Sequence, residues 1–172
     1  MKGRIALVGF VLLLFSVATL GQAQNGTPFV TEDFFIQIPR GWDSEKPAQG
    51  LVCDLEGPTR NDGSHPSLTI GALVNMPNDD DQLIDILARS YSANFQNVTI
   101  AQKGKIMYNN LRCVRMALTG TLRGNAYHIE AYGLRACTQN KVYLVQWMDR
   151  KDHYLNSNSD ASSAINSFRV LR

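Results

Sequence analysis

Residues able to do chemistry are few and scattered in this sequence. The histidines are His65, His128 and His153, and acid–base or metal chemistry needs such groups to converge with carboxylates. One pair does so locally. His128 and Glu130 are two residues apart, so on a strand both side chains leave the same face. A His-x-Glu pair offers two metal ligands, which makes His128 and Glu130 the candidate centre of an exported hydrolase or metal-dependent enzyme. Two such residues on an exposed sheet face are also ordinary, and the sequence identifies no third ligand. The expectation is no metal and no cofactor.

Nucleophiles fare no better. No Gly-x-Ser-x-Gly elbow is present, and Ser64-His65-Pro66 lies in a polar stretch that reads as a turn. Arg112 adjoins Cys113, but neighbouring strand residues point apart, so the cation is not placed to activate the thiol. Gly120 to Gly124 belongs to a hairpin with no helix behind it to hold a phosphate. Trp42, Trp147, Tyr127, Tyr132 and Tyr143 can stack on a ligand, although aromatic residues in strands usually pack in the core. Arg112, Arg115, Arg123 and Arg135 lie along one hairpin and form either a solvated edge or a patch for an acidic partner.

The chain opens with Lys2 and Arg4 and then an apolar run from Ile5 to Leu20, followed by Gly21-Gln22-Ala23. That is the pattern of an export signal, with cleavage expected between Ala23 and Gln24. An uncleaved anchor is the alternative; the run is short of the roughly 20 residues that span a bilayer comfortably and has no basic flank after it. The expected product is periplasmic or secreted, with no transmembrane segment once residues 1–23 are removed. Losing Lys2 and Arg4 takes the formal charge from +2 to zero, so charge does not point to nucleic acid. Residues 24–96 hold 11 Asp/Glu and 4 Lys/Arg, and residues 97–172 hold 4 and 11. Mutual neutralisation within the fold is the simpler reading of that asymmetry.

The elements that must position these residues follow from periodicity. Residues 24–28 read as a flexible lead-in and 29–172 as a single α+β domain. Phe34, Ile36 and Ile38 alternate before Pro39-Arg40-Gly41-Trp42 breaks the strand. Further strands are expected at 51–55 and 67–74. Leu83, Ile84, Leu87, Ala88, Tyr91 and Phe95 then line one face of a helix, with Asn78 or Asp79 as its cap. Strands at 98–103, 105–108, 111–121, 126–137 and 142–149 form an antiparallel meander, and a C-terminal helix runs to about Ser167, followed by a short extended end. If Leu122 lies opposite Asn125, then Val114, Met116 and Leu118 share a face with Gly133, Ala131 and Ile129. Cys113 and Cys137 then point to opposite faces, so any disulfide uses Cys53 with Cys113 or Cys137.

Phe34-Phe35-Ile36-Gln37-Ile38-Pro39-Arg40-Gly41-Trp42, the mid-chain amphipathic helix, the long meander and the ending Ala164-Ile165-Asn166-Ser167-Phe168 together resemble the PsbP/Mog-type α/β/α sandwich family. The resemblance implies an antiparallel sheet with the mid-chain and C-terminal helices packed on it. It also implies that the proline and tryptophan form a packed corner and that Ser-Phe closes the last helix onto the sheet. The family contains a photosystem II extrinsic subunit, Ran-binding proteins and bacterial envelope proteins, mostly non-catalytic. What carries over is an accessory domain binding a protein or an envelope component. The enzyme built on His128 and Glu130 and a carrier of small apolar ligands are the alternatives.

Overall fold

The computed structural model describes residues 26–136 and 141–171. The expected signal and its cleavage point, Ala23 and Gln24, lie outside them, as does Cys137. In chain order the elements are β1 (Thr27–Val30), β2 (Phe34–Ile38), β3 (Asp43–Glu45), β4 (Leu51–Glu56), β5 (Ser67–Val74), α1 (Asp80–Asn94), β6 (Gln96–Tyr108), β7 (Leu111–Leu122), β8 (Asn125–Ala136), β9 (Lys141–Arg150), α2 (Tyr154–Ser167) and β10 (Arg169–Val170). Seven strands form an antiparallel sheet in the order β3-β4-β5-β9-β8-β7-β6, and β1-β2-β10 form a small second sheet. α1 packs on one face of the large sheet; α2 and the small sheet pack on the other.

Local chemistry sets the register. Arg123 and Gly124 take φ of 51° and 83°, a two-residue turn whose twist matches the flanking strands. Leu122 therefore falls opposite Asn125 and Val114 opposite Gly133, the pairing expected from the sequence. Asn109 and Asn110, with φ of 49° and 63°, turn β6 into β7 in the same way. β6 was expected as two pieces; it is one strand, kept in register by irregularities between Gln96 and Thr99 and between Ile100 and Gln102, because a bulge absorbs an extra residue without ending a ladder. The expected lead-in is also shorter. Thr27 and Pro28 already pair with Ile38 and Gln37, and an edge strand tolerates a proline that lacks a donor.

Asp79 caps α1, its carboxylate accepting from the Asp81 and Gln82 amides at 2.7 and 3.4 Å. The stripe Leu83, Ile84, Leu87 and Tyr91 is buried against Val114, Met116, Leu118, Ile129, Ala131 and Val142. Burying each such side chain contributes about 2 kcal/mol. Gly133 makes the close approach possible: a Cβ there would stand 2.8 Å from Val114 Cγ2 and 3.5 Å from Leu83 Cδ2. On the other face Phe34, Ile36, Trp42, Ala161, Ala164, Ile165 and Phe168 pack on Leu55, Leu68, Ile70, Leu134, Tyr143, Val145 and Trp147. No helix among the described residues is long and apolar enough to cross a membrane.

The charge asymmetry resolves into ion pairs between the two halves of the sequence: Lys105–Asp81, Arg112–Asp80, Arg135–Asp80, Lys141–Asp33 and Arg150–Asp62.

Candidate functional site

His128 and Glu130 do share the α2 face of β8, opposite Asp149 and Trp147 of β9. Glu130 and Asp149 are hydrogen-bonded there, whereas His128 Nε2 is buried with no hydrogen-bond partner among the described residues. The His128 ring stacks on Tyr154 with centroids 4.2 Å apart. Glu130 Oε2 accepts from Arg115 at 3.0 Å and from the Tyr132 hydroxyl at 2.9 Å, and its Oε1 lies 3.6 Å from His128 Nε2, an electrostatic contact longer than a hydrogen bond. His128, then Tyr132 and Arg115, outweigh burial and hold this carboxyl down to about 2. Asp149 is fully buried, gripped by both terminal nitrogens of Arg60 at 2.8 and 2.7 Å and by Ser157 Oγ at 2.5 Å. His65 stands instead beside Glu56 and His153 beside Asp62, at 3.8 and 3.4 Å. Among the described residues no group of three His, Cys, Asp or Glu side chains is arranged to hold a metal.

Nor is a nucleophile activated. Ser64 Oγ donates to Asp62 Oδ1 at 2.6 Å, a carboxylate held down to about 2 chiefly by its bonds from Ser64 and so a weak base. Burial pushes the Cys53 and Cys113 thiols up to about 12, which keeps them protonated at neutral pH. Both are free, so the Cys53–Cys113 disulfide is not formed. β5, β9 and β8 lie between their strands, a gap of roughly 19 Å at the usual strand spacing, against the ~7 Å limit for a bridge. The Cys53–Cys137 alternative falls on a residue outside the description.

The arginine patch is corrected in the same way. Arg112 and Arg135 both clamp Asp80 at the start of α1, at 2.9 and 2.7 Å. Burial opposes ionisation of Asp80, but those two hydrogen bonds win and hold its carboxyl below the usual value. Arg115 is committed to Glu130 and lies over the Tyr132 ring, 5.7 Å from its centroid. Arg123 remains exposed at its turn. Sequence reasoning missed Asp80 and Asp149 as structural ions because their partners are 32 to 89 residues away.

What stays open is half of the α1 face. α1 contacts β6 and β7; near Val142 its cluster takes in Leu73 of β5, and further along the sheet the border is marked by Tyr91, which donates to Gln146 Oε1 of β9 at 2.7 Å. Beyond that border Asp43 lies opposite Glu56 and Glu45 opposite Asp54, with Ser67 and Thr69 of β5 next in the two rows. None of these four carboxylates has a lysine or arginine ion pair among the described residues; Glu56 has only His65. Partial burial, then Glu56 and Glu45, raise the pKa of Asp54. Like charges directly opposite one another cost a sheet stability.

By sequence, no protein-family profile and no curated protein matches this chain. By structure it is similar to LpqN of Mycobacterium tuberculosis, a protein involved in cell envelope biogenesis, with a TM-score of 0.62 and 9% identity over 88% of each chain. It is similar to the cyanobacterial PsbP protein CyanoP from Synechocystis sp. PCC 6803, with a TM-score of 0.61 and 13% identity over 92% of this chain and 99% of that one. The Ran-binding protein Mog1p of Saccharomyces cerevisiae gives a TM-score of 0.61 at 8% identity over 86% and 96%. The chain has the PsbP/Mog-type fold. The two features that the resemblance implies for PsbP/Mog-type chains are both present. Trp42 is buried behind a turn whose amide bonds Pro39 O at 3.1 Å. At the other end Ser167 Oγ accepts from the Gln37 amide at 2.7 Å, and Phe168 stacks on Phe34 at 5.5 Å.

Proposed function

We propose that this chain is an exported, non-catalytic accessory domain that binds a protein or an envelope component through the open half of its large sheet. The observation that carries the reading is the pair of rows Asp43–Glu56 and Glu45–Asp54: Asp80 and Asp81 on the roofed half are spent on ion pairs, while here carboxylates face each other without a lysine or arginine partner, at a cost a partner would recover. Export rests on the charged and apolar opening of the sequence and its Gly21-Gln22-Ala23 ending; the envelope role of the similar protein LpqN points the same way. The hydrolase alternative is disfavoured because Glu130 already accepts from Arg115 and Tyr132 and is held down to about 2, which makes it a weak base. An apolar-ligand carrier is disfavoured because three hollows among the described residues are each lined by charged side chains.

Site-specific photo-crosslinking tests this. A benzophenone side chain in place of Thr69 should capture a discrete partner in an envelope extract of the source organism, while the same group in place of Arg89, exposed on α1, should not. Equal labelling from both positions, or turnover of an envelope substrate that is lost in Glu130→Gln, overturns the proposal.

A further inference from the structure

At the end of the open half-face a hollow of about 350 Å³ is lined by residues 62–65 of the loop after β4 and by Ser67, Asn125, Tyr127, Met148 and Arg150. That volume is in the range of small-molecule sites. Three separate segments build it. The loop after β4 supplies one wall and is held by its own bonds: Gly57 N to Pro66 O at 2.8 Å, Arg60 N to Ser64 O at 2.8 Å and Gly63 N to Arg60 O at 2.9 Å. Arg60 is in turn anchored on buried Asp149. The opposite wall is Asn125 at the β7–β8 turn, and the floor is β9 and β8, where Lys151 N bonds Ala126 O at 2.9 Å. A wall so constrained needs little ordering when a ligand enters.

The lining chemistry selects the ligand. Arg150 and Asp62 pair within the hollow at 3.3 Å, so their charges compensate and an ionic ligand gains little there. Asp62 already accepts from the Ser64 amide and hydroxyl and from Arg150, so the polar groups offered to a ligand are the remaining N–H groups of Arg150, the Asn125 amide and the Ser67 hydroxyl, donors and acceptors together. Beside them Tyr127 and Met148 give an apolar surface. A neutral ring with hydroxyls around its rim and C–H groups on its face satisfies both demands. Resting on the binding role proposed above, we infer that this hollow takes a neutral sugar residue of an envelope glycan.

The test is amide NMR titration of the exported protein with the methyl β-glycosides of glucose, galactose and N-acetylglucosamine. At least one should shift the amides of Ser67, Asn125, Tyr127 and Arg150 saturably in the millimolar range expected for a single ring. Tyr127→Ser and Asn125→Ala should each weaken that binding about tenfold while leaving the spectrum elsewhere, and binding in an Arg89→Ala control, unchanged. Absence of saturable shifts with all three sugars, or stronger shifts of the same amides by inorganic phosphate or free lysine, overturns the inference. If Thr69 still crosslinks a partner in that case, the binding role stands and only its glycan specificity is lost.

Discussion

At the start of α1, Asp80 sits between Arg112 and Arg135 with N–O distances of 2.9 and 2.7 Å. At the other end of the same sheet face, Asp43 confronts Glu56 and Glu45 confronts Asp54 with no ammonium or guanidinium paired to them among the described residues. The roofed half thus uses its carboxylates to fix a helix to strands, whereas the open half carries charge that works against the fold. Charge that costs stability and is not relieved internally is what a binding surface requires, and the two halves differ in nothing else so sharply.

The largest contrast should come from removing one acid on each side. Asp80→Ala leaves Arg135, only 12% exposed, without its carboxylate and frees the N-terminus of α1; a loss of about 3 kcal/mol is expected in urea unfolding at neutral pH. A loss below about 1 kcal/mol would mean that the clamp is not what seats the helix.

A sterically matched pair comes next. Gly133 and Gly71 flank Leu144 in one row across β8, β9 and β5. Under the helix, Gly133→Ala forces a Cβ to 2.8 Å from Val114 Cγ2, while Gly71→Ala meets nothing closer than 3.6 Å. The first should cost about 1–2 kcal/mol and the second less than about 0.5 kcal/mol. Equal costs in thermal unfolding would mean that the close approach of Val114 and Leu83 to Gly133 does not set the packing under α1.

The pH dependence should carry opposite signs for a paired and an unpaired acid. Glu130, held at about 2 against its ordinary 4.5, contributes stability above pH 4.5 that is lost as pH falls toward 2; Glu130→Gln should flatten that decline. Asp54 is raised above its ordinary 3.8 by partial burial and by Glu56 and Glu45. The folded state then binds its proton more tightly than the unfolded state, so the cost of Asp54 disappears as pH falls through the raised value, and Asp54→Asn should remove this slope of opposite sense. Denaturant titrations at stepped pH read both.

The smallest effect is the relief of one like-charge row. Glu56→Gln should stabilise the protein by about 0.5 kcal/mol and weaken capture through Thr69. Stabilisation with undiminished capture would separate the charge rows from binding.

The sequence made legible whatever rests on local periodicity. The α1 stripe, its cap and the β7–β8 register all follow from residues within a few positions of one another. β1 and β3 were not legible, because strands of 4 and 3 residues are too short to show alternation and exist only where a partner strand supplies the bonds; of β10 only a short extended end after the last helix could be read. At the candidate sites, adjacency on one strand was readable but occupancy was not. His128 and Glu130 meet as expected, yet Arg115 and Tyr132 had already claimed the carboxylate. The four arginines read as one patch, although Arg112 and Arg135 point to the α1 face and Arg115 to the other. The open half-face gave no local signal at all, since Asp43, Glu45, Asp54 and Glu56 become a surface only through the β3–β4 pairing.

Carboxyl footprinting tests the central claim most directly. The protein, alone and with an envelope extract of its source organism, is labelled with a carbodiimide and glycine ethyl ester and mapped by mass spectrometry. Modification of Asp43, Glu45, Asp54 and Glu56 should be strong in the free protein and suppressed by the extract, with Asp85 on α1 labelled equally in both. Undiminished labelling of those four residues, or suppression at Asp85 in their place, would contradict the assignment of the open half-face as the binding surface.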